Sequence, residues 1–530
     1  MAFIKKYPRL FTFIFYALAF SLVYGWFLQN PFIMDDEIHI VDNRHIHDLS
    51  EWPSYFTSSS MDSGGAEKMQ GIYYKPLLMT HFALIWNFFG ADTVAYRLPN
   101  YILHTVNAFL VFNFSLLFLP FAFSFMVGAL FLLHPINAEA VLYICDMQDI
   151  LYLFFGLSSL VLASQIQSKL WLFLALSLTF WLGLLSKETA ALFLFITAFY
   201  IWQNRREQLV SVLAAASWVG VGYLILRFSI NLTSTKSHHL LFHQASYLER
   251  LQTLPLIWAH YIELLFFPWR LSLTADFVVT TFGFVEFWFP IVVGLGFLIL
   301  LYRLKIYFDK TEFRKWFHFF LFVLFCWFGL HSHILVPLDG VYTDRWLYMT
   351  GWFFVSVLVF GLYTAARNEA TKKNILFCLS LLLVAYGVRD YVRGLDWSSA
   401  LRLYSRELEL HPQDAVMSNN VGVILFRQGE PLKAKSYFIK ATEFNPYWNV
   451  AWNNWGATEE YEKNYEKALE LYKKSFSAGN YSLAVENYAK LLCRTNQIQA
   501  CREHESWAVQ HFPYNPTLLM LQSELQKIKP

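Results

Sequence analysis

Long apolar runs separated by short polar connections occupy the first three quarters of the chain. Segments of about 17–25 apolar residues are long enough to cross a bilayer as helices. On that criterion we predict about eleven membrane-spanning helices, near residues 10–29, 97–119, 121–140, 141–164, 170–186, 189–203, 209–229, 284–302, 316–336, 346–366 and 374–390. Two further apolar segments, 73–90 and 254–268, would break the alternation of basic loops if they were spans. Both are predicted to lie at the membrane interface or to re-enter.

From about residue 396 the pattern changes to a polar, periodic one. Several positions are matched 34 residues later in the chain: His411-Pro412 by Asn445-Pro446, Asn420 by Asn454, Gly422 by Gly456, and Ala434 by Ala468. A period of 34, with small residues where paired helices cross, is the tetratricopeptide signature. The tail is therefore predicted to be a helical-repeat array.

Weaker signals extend the array at both ends. A degenerate third unit is predicted from Asn487, Ala500 and Asn515-Pro516, and a capping helix over 518–528. Residues 397–410 are interpreted as a half-unit that joins the array to the last span. About three units are needed to bury a shared core.

We therefore predict an all-α chain in two parts. Residues 1–393 form a polytopic membrane domain with an acidic first outer loop over 30–96, and residues 394–530 form the soluble repeat domain. The composition agrees, because only 15% of the residues are charged, whereas soluble proteins have about 25%. The net charge of +2 comes from scattered residues, so no nucleic-acid partner is predicted.

The basic residues set the expected orientation. No small-x-small cleavage site follows the first apolar segment, so it is predicted to be a retained helix. When the predicted spans alternate across the membrane, the basic loop residues all fall on one side, which is therefore predicted to be cytoplasmic. They are Lys5, Lys6, Arg9, Lys169, Arg205, Arg206, Arg303, Lys305, Lys310, Arg314, Lys315, Arg367, Lys372 and Lys373. An odd number of spans places the repeats on the opposite, outer face.

The five cysteines include no CxxC pair, which argues against a zinc or redox motif. Cys493 and Cys501 are predicted on neighbouring helices, where they could form a disulfide in an oxidising compartment. The alternative, two reduced buried thiols, is the one we expect.

The candidate chemistry begins with three adjacent acidic residues, Asp35, Asp36 and Glu37, just after the first span. One carboxylate could act as general base toward an acceptor hydroxyl while its neighbour binds a metal or positions the acceptor. A solvated acidic loop that only helps topology is the alternative interpretation.

Ionisable residues from distant segments are predicted to gather on the same outer face. Such residues beside spans are functional-site candidates, and here they are His134, Glu139, Asp149, Lys187, Glu188 and Arg345. Together with Lys75, the cations Lys187 and Arg345 suit a phosphate, which Arg can bind through two hydrogen bonds and Lys as a point charge. An internal ion pair between Lys187 and Glu188 is an alternative.

Taken in order, these residues resemble a known family. The matching motifs are Met34-Asp35-Asp36 with Asp42-Asn43, Tyr74-Lys75-Pro76-Leu77, Asn100-Tyr101-Ile102-Leu103-His104 with Asn107, Leu133-His134-Pro135 with Glu139-Ala140-Val141, Ser186-Lys187-Glu188-Thr189, and Asp344-Arg345-Trp346-Leu347-Tyr348. They are similar to motifs of GT-C-type membrane glycosyltransferases. With the repeats, the whole chain resembles the transmembrane and tetratricopeptide-repeat-containing O-mannosyltransferases and their bacterial relatives.

The resemblance implies transfer of a sugar, a mannose-like hexose being one candidate, from a polyprenyl-phosphate-linked donor to a hydroxyl of a protein or glycan acceptor. Transfer would occur at the periplasmic or luminal face with inversion. It implies catalytic roles for Asp35 and Asp36, and binding of the lipid phosphate by Lys75, Lys187 and Arg345. Supporting positions would be held by Glu37, His134, Glu139, Asp149 and Glu188.

Cofactor and setting follow from the same resemblance. Many GT-C enzymes with lipid monophosphate donors work without an essential metal, so no metal ligand is predicted and a divalent metal is left open. We expect a multi-pass protein of a bacterial inner membrane, with a cytoplasmic N-terminus, membrane lipid around it, and periplasmic repeats that bind the acceptor.

Two departures from the family pattern leave sugar and acceptor open. Met147-Gln148 stands where relatives have Gly-Arg before Asp149, and the late motif has Asp344 where relatives have Glu. One alternative is an O-antigen-ligase-like glycan ligase. Such an enzyme would need a long late outer loop, but the corresponding loop here, residues 335–345, is short. A non-enzymatic membrane-anchored repeat scaffold is another, and it would tolerate replacement of the acidic pair. A transporter is a further alternative, but it would need paired charges at mid-span depth, whereas the ionisable residues of this chain cluster at one face.

Overall fold

The computed structural model describes residues 6–60, 73–230, 241–334, 338, 340–479 and 481–527. Within these ranges the chain is built from helices, and a single antiparallel bridge between Ala275 and Tyr342 is the only β-type pairing. The predicted all-α fold class is confirmed. The α-helices are α1 Pro8–Tyr24, α2 Pro76–Phe89, α3 Thr93–Ser115, α4 Phe121–Leu132, α5 Ala138–Leu142, α6 Met147–Gln165, α7 Lys169–Ser186, α8 Ala191–Asn204, α9 Leu209–Phe228, α10 Leu241–Gln244, α11 Tyr247–Phe266, α12 Phe289–Phe308, α13 Arg314–His331, α14 Tyr348–Ala365, α15 Glu369–Asp396, α16 Ala400–Leu410, α17 Ala415–Arg427, α18 Pro431–Phe444, α19 Asn449–Tyr461, α20 Tyr465–Ala478, α21 Ser482–Arg494, α22 Ile498–His511 and α23 Pro516–Lys527.

Seven helical segments of the described chain are long and apolar enough to cross a membrane: Pro8–Phe27, Ile144–Gln165, Lys169–Ser186, Arg206–Phe228, Phe284–Phe308, Asp344–Ala365 and Glu369–Asp396. The pair α4 and Pro135–Leu142, bent by 44°, makes an eighth if it counts as one span. The sequence predicted about eleven spans; seven segments of the described chain, or eight with the bent pair, meet this criterion of length and composition.

The three remaining predicted spans are helices that are too short or too polar to meet this criterion. Helix α8 has only 14 residues, too few for a hydrocarbon core of about 30 Å. Helix α13 begins with a basic pair and ends in His331. Helix α3 carries a polar face at helical spacing, and all of its members are buried: Arg97, Asn100, His104 and Asn107. These polar groups lower its hydropathy although the helix lies inside the bundle.

The two segments predicted at the interface also form helices. Helix α2, which covers most of 73–90, has 14 residues and is too short to cross a bilayer. Residues 254–268 lie mainly in α11, which is 20 residues long but is not among the seven candidate spans. Part of the late loop 335–345 lies outside the described residues.

The first outer loop and the repeats lie on the same side of the helical bundle. The Asn30 side-chain amide donates a hydrogen bond to the carbonyl of Trp397 at 3.0 Å, so the chain leaves α1 and α15 at the same end. Glu37 is 3.3 Å from Arg427 in α17. The first repeat helices therefore lie beside the acidic triplet.

The first repeat helices share their core with the membrane half. One continuous cluster of buried apolar side chains extends from Tyr16 in α1 to Leu403 in α16 and Phe438 in α18. Burial of that apolar surface favours one fixed arrangement of the two parts. The proposed domain boundary at 393/394 lies within α15, which is continuous from Glu369 to Asp396.

The tail is a stack of helices in which each packs on the next, and its repeat is visible in side-chain packing. A Cβ atom at Gly422 would lie 2.6 Å from the ring of Phe438, and one at Gly456 would lie 2.8 Å from the ring of Tyr472. Both glycines and both rings are 34 residues apart. The same close helix crossing therefore recurs with the tetratricopeptide period.

Helices are found at both ends of the array where the sequence predicts them, but the state of its two cysteines differs from the prediction. The half-unit appears as α16 and the capping helix as α23. Cys493 and Cys501 form a disulfide with their Cα atoms 5.4 Å apart, so the expectation of two reduced thiols is wrong. The tight turn between α21 and α22 brings the two positions within bonding reach, and such bonds persist mainly in oxidising compartments.

Candidate active site

The acidic triplet sits on an unusual stretch of backbone. Met34, directly before it, has a φ of +62°, in the left-handed region that non-glycine residues rarely adopt. A wide helical turn over Glu37–Val41 follows. Backbone strain of this kind persists where the surroundings enforce it and is common at functional sites. It turns the three carboxylates toward three different environments.

Asp36 faces inward and fastens the loop. Its side chain is buried, and its carboxylate accepts hydrogen bonds from the backbone N–H of Cys145 at 3.1 Å and of Ile33 at 3.3 Å. Burial raises the pKa of Asp36 to about 7, opposed by the hydrogen bonds and by the nearby Arg97 guanidinium. This carboxyl therefore ties the first loop to the turn that precedes α6.

Asp35 faces the opposite way and is exposed. Its carboxylate accepts no hydrogen bond from the described residues, but it lies within electrostatic range of His39, Tyr143 and Tyr404. An exposed, unengaged carboxylate beside buried polar groups is free to accept a proton from a bound hydroxyl. Glu37, the third member, pairs instead with Arg427 on the first repeat.

Three cations predicted from distant segments come together near this loop. Lys187 Nζ lies 2.7 Å from Asp149 and 5.7 Å from the centre of the Tyr152 ring. Arg345 lies 2.6 Å from Glu139 and 3.6 Å from Asp146. Lys75 Nζ lies 4.3 Å from the ring centre of Tyr73, and no carboxylate of the described chain is within ion-pair distance of it.

Electrostatics connect the cations to one another and to Asp35. Burial lowers the pKa of Lys75 to about 8; Lys187 and Arg345 add to that shift, and Asp149 and Asp146 oppose it. Burial also lowers the pKa of His39, opposed by Asp35 and reinforced by Lys75. His39 thus interacts both with the exposed Asp35 carboxylate and with Lys75, a member of the cation cluster of Lys75, Lys187 and Arg345.

Two predicted supporting residues lie elsewhere. His134 is buried and makes a 3.3 Å hydrogen-bond contact with the Leu265 carbonyl, and its ring packs on Tyr386, so it fixes the bend after α4. Glu188 pairs with Arg227 at 2.8 Å. The alternative of an internal Lys187–Glu188 ion pair is wrong, because Lys187 bonds Asp149.

Arg97 supports the candidate site and was not singled out by the sequence motifs. It is 2% exposed and donates hydrogen bonds to the carbonyls of Asn30 and Pro31, which holds the start of the acidic loop. The available signal was a lone cation inside an apolar segment, which membrane proteins rarely tolerate without a partner.

A second group, of which the sequence motifs included only Asp344, links the site to the repeats. Asp344, which precedes Arg345, accepts a 2.8 Å hydrogen bond from the backbone N–H of Ser272. The Ser272 hydroxyl donates to Glu407 of α16 at 2.7 Å, and Glu407 also accepts from Arg393 at 3.0 Å. We call Ser272, Asp344, Arg393 and Glu407 the junction network.

The donor atoms at this site suit an anion. No group of three or more His, Cys, Asp or Glu side chains in the described part of the chain is arranged to hold a metal ion. Glu139, Asp146 and Asp149 lie beside cations instead. Their negative charges hold Lys187 and Arg345 in place, whereas Lys75 has no carboxylate partner among the described residues.

Comparisons with known proteins find related sequences but no matching family model. Human protein O-mannosyl-transferase TMTC3 is 22% identical over 503 residues, which are 86% of this chain and 54% of the human protein. The Caenorhabditis elegans protein O-mannosyl-transferase F38B6.6 is 25% identical over 451 residues, covering 79% of this chain and 60% of its own length. The chain thus spans little more than half the length of these relatives.

Among solved structures, the Cut9–Hcn1 hetero-tetramer of the APC/C aligns over 94% of this chain and 99% of its own. The identity is 12% and the TM-score 0.25, too low to indicate a shared fold. The sequence relatives agree with the ordered motifs read from the chain. The protein is a distant relative of the protein O-mannosyl-transferases, as those motifs predicted.

Proposed function

We propose that this chain is a membrane glycosyltransferase that moves a sugar from a polyprenyl-phosphate carrier to a hydroxyl group of a protein. The observation that carries the proposal is electrostatic: His39 interacts with both the exposed Asp35 and Lys75, and Lys75 interacts with Lys187 and Arg345. A candidate base for the acceptor is thereby linked to candidate ligands for an anionic leaving group. The relatives' names favour mannose as the sugar and protein as the acceptor.

The cation cluster would bind the donor phosphate. Asp149 holds Lys187, and Glu139 and Asp146 hold Arg345, so these two cations are oriented before the donor arrives. Preorganised charges of this kind stabilise negative charge that develops in a transition state. Lys75 has no carboxylate partner in the described chain, so its ammonium is available to a phosphate oxygen.

Asp35 would act as the general base. The acceptor oxygen attacks the anomeric carbon while Asp35 takes its proton, and the bond from that carbon to the phosphate oxygen breaks. The products are the glycosylated acceptor and the polyprenyl phosphate, which keeps the bonding electrons. Attack opposite the leaving phosphate inverts the anomeric configuration. Asp36 would position Asp35 through its hydrogen bonds to Cys145 and Ile33.

The setting we propose is an oxidising compartment outside the cytoplasm. The repeats share one side of the bundle with the acidic loop, and the basic loops are expected on the other side, which makes the latter cytoplasmic. The disulfide between Cys493 and Cys501 suits that arrangement. We place the protein in a bacterial inner membrane with periplasmic repeats, which would bind the acceptor beside Asp35.

Reconstitution of the purified full chain in liposomes tests the proposal. With polyprenyl-phosphate [³H]mannose and a pool of unfolded secretory proteins, we expect label on Ser and Thr hydroxyls that mild alkali releases by β-elimination. A parallel reaction with GDP-mannose should give none, because the site binds one lipid-borne phosphate. Absence of transfer from every polyprenyl-phosphate hexose tried, by protein that is folded and inserted, would reject the proposal.

The lowered pKa of Lys75 gives a pH dependence. Its ammonium is protonated below a pH of about 8, and only that form attracts the phosphate. We expect kcat/KM for the donor, which reports ionisations of the free enzyme, to fall as the pH rises through about 8. Lys75→Arg keeps the charge to higher pH and should remove the fall. If kcat/KM of the Lys75→Arg variant still fell as the pH rose through about 8, the fall would be due to another group.

A further inference from the structure

A cavity of about 430 Å³ opens where the last membrane helix meets the repeats. Its lining includes Trp269, Arg389 and Val392 from the membrane half and Arg402, Arg406 and Glu409 from α16. None of these residues belongs to the Asp35 loop or the cation cluster. The proposed transfer reaction gives this cavity no role.

Arg389 is the residue that marks the cavity as a binding site. It is only 8% exposed, and its Nε and Nη2 atoms donate to the Trp269 carbonyl at 3.3 and 2.9 Å. Its Nη1 atom has no hydrogen-bond partner among the described residues. A buried guanidinium donor without an acceptor is costly, so the two N–H groups of Nη1 are left for a ligand to accept from.

The charges around the cavity leave an excess of positive charge. Arg406 pairs with Glu409, and Arg402 lies 3.9 Å from Asp396, which Arg393 also approaches at 3.5 Å. No carboxylate of the described chain lies within ion-pair distance of Arg389. Arginine offers paired N–H donors that match phosphate oxygens, so an anionic oxygen group suits the vacant donor.

An apolar surface leads to this cavity along α15. Exposed side chains recur at helical spacing on one face, and the last of them lines the cavity: Phe377, Leu381, Val384, Val388 and Val392. The neighbouring Trp269 is 56% exposed, as is common for Trp at the membrane interface. The apolar stripe and the arginines together suit a ligand that is hydrophobic at one end and anionic at the other.

We propose that the cavity binds the phosphate of a lipid head group, whose chains lie along the apolar stripe of α15. The binding energy comes from arginine–phosphate hydrogen bonds, with Arg389 filling its open donor position. A lipid so placed contacts both α15 and α16 and braces the repeats against the membrane. This site is separate from the donor site and does not depend on the transfer reaction.

Native mass spectrometry of the full chain in detergent tests the site. Titration with phosphatidic acid should load one tightly held lipid, and Arg402→Gln/Arg406→Gln should weaken its binding about tenfold or more, because charge-assisted hydrogen bonds to the phosphate are lost. Both arginines are partly exposed, so this pair can change without disturbing the core. Arg494→Gln/Lys474→Gln removes two exposed cations elsewhere on the repeats and should bind as the wild type does.

Competitors separate the sources of the anion. Phosphatidylcholine should bind less tightly than phosphatidic acid, and inorganic phosphate should not displace the lipid at millimolar concentration. The Lys75→Met variant should retain this lipid, which distinguishes the cavity from the donor site. Unchanged binding in both Arg402→Gln/Arg406→Gln and Arg389→Lys would overturn the proposal. Displacement by inorganic phosphate or by an acidic peptide would overturn the lipid as occupant.

Discussion

Replacing Asp35 with Asn is expected to lower sugar transfer by about 10²–10⁴ fold, the range that a general base contributes. The amide fills the same space but cannot take the acceptor proton. Because the loss falls on the chemical step, kcat should drop while KM for the donor stays near its wild-type value. Single-turnover assays with preloaded donor would measure the step directly.

Two variants control for charge and for folding. Asp48→Asn removes one negative charge from the same exposed loop, and its side-chain oxygen can still accept from the Ser50 N–H, so its activity should be normal. Asp36→Asn keeps an acceptor oxygen for Cys145 and should lose much less activity than Asp35→Asn. Equal activity of the Asp35→Asn variant and the wild type, with normal membrane insertion, would exclude Asp35 as the base.

Asp36→Asn also has a distinct stability signature. The folded protein holds the Asp36 proton with a pKa of about 7, against an ordinary value of 3.8. The folded state therefore binds this proton more tightly than the unfolded state, so the stability it contributes is present at low pH and is lost as the pH rises from about 4 to about 7. Asp36→Asn should remove that part of the pH dependence, whereas Asp35→Asn should keep it.

The sequence singled out ionisable residues that lie close together in the structure, but it did not predict their partners. Ionisable residues beside spans are few and costly, so Lys75, Lys187 and Arg345 stand out in an apolar chain. Which carboxylate each cation meets depends on how helices rotate and pack. Lys187 therefore bonds Asp149, 38 positions away, and not its neighbour Glu188. For the same reason the sequence could not separate the buried Asp36 from the exposed Asp35.

Apolar patterns are limited in a related way when spans are counted. Helix α3 buries a polar face formed by residues such as Arg97 and His104, and the sequence pattern alone does not show whether that face meets lipid, water or protein. The helices of the repeat tail were easier to predict, because a period of 34 is set by local helix pairing and needs no long-range information. Contacts such as Ser272 with Glu407, 135 positions apart, left no local trace.

The second large effect is expected at Glu407, the centre of the junction network. Glu407 is fully buried, and its carboxylate accepts from Arg393, from the Ser272 hydroxyl and from the Leu273 N–H at 2.9 Å. Glu407→Ala leaves the Arg393 guanidinium buried beside a cavity. Removing one partner of a buried ion pair costs about 3–5 kcal/mol, so amide hydrogen exchange in α16 and α17 should accelerate about 10² fold or more if these helices open together.

The junction network also predicts what that loss does to the site. Ser272 binds Glu407 through its hydroxyl and Asp344 through its backbone, and Asp344 precedes Arg345. Loosening Ser272 should therefore raise KM for the donor through Arg345, beyond any effect on acceptor binding. Glu409→Gln, on the same helix but 65% exposed, should change stability by no more than about 0.5 kcal/mol. If Glu407→Ala exchanged no faster than Glu409→Gln, the junction network would not hold the repeats to the membrane half, and the coupling to Arg345 would be excluded with it.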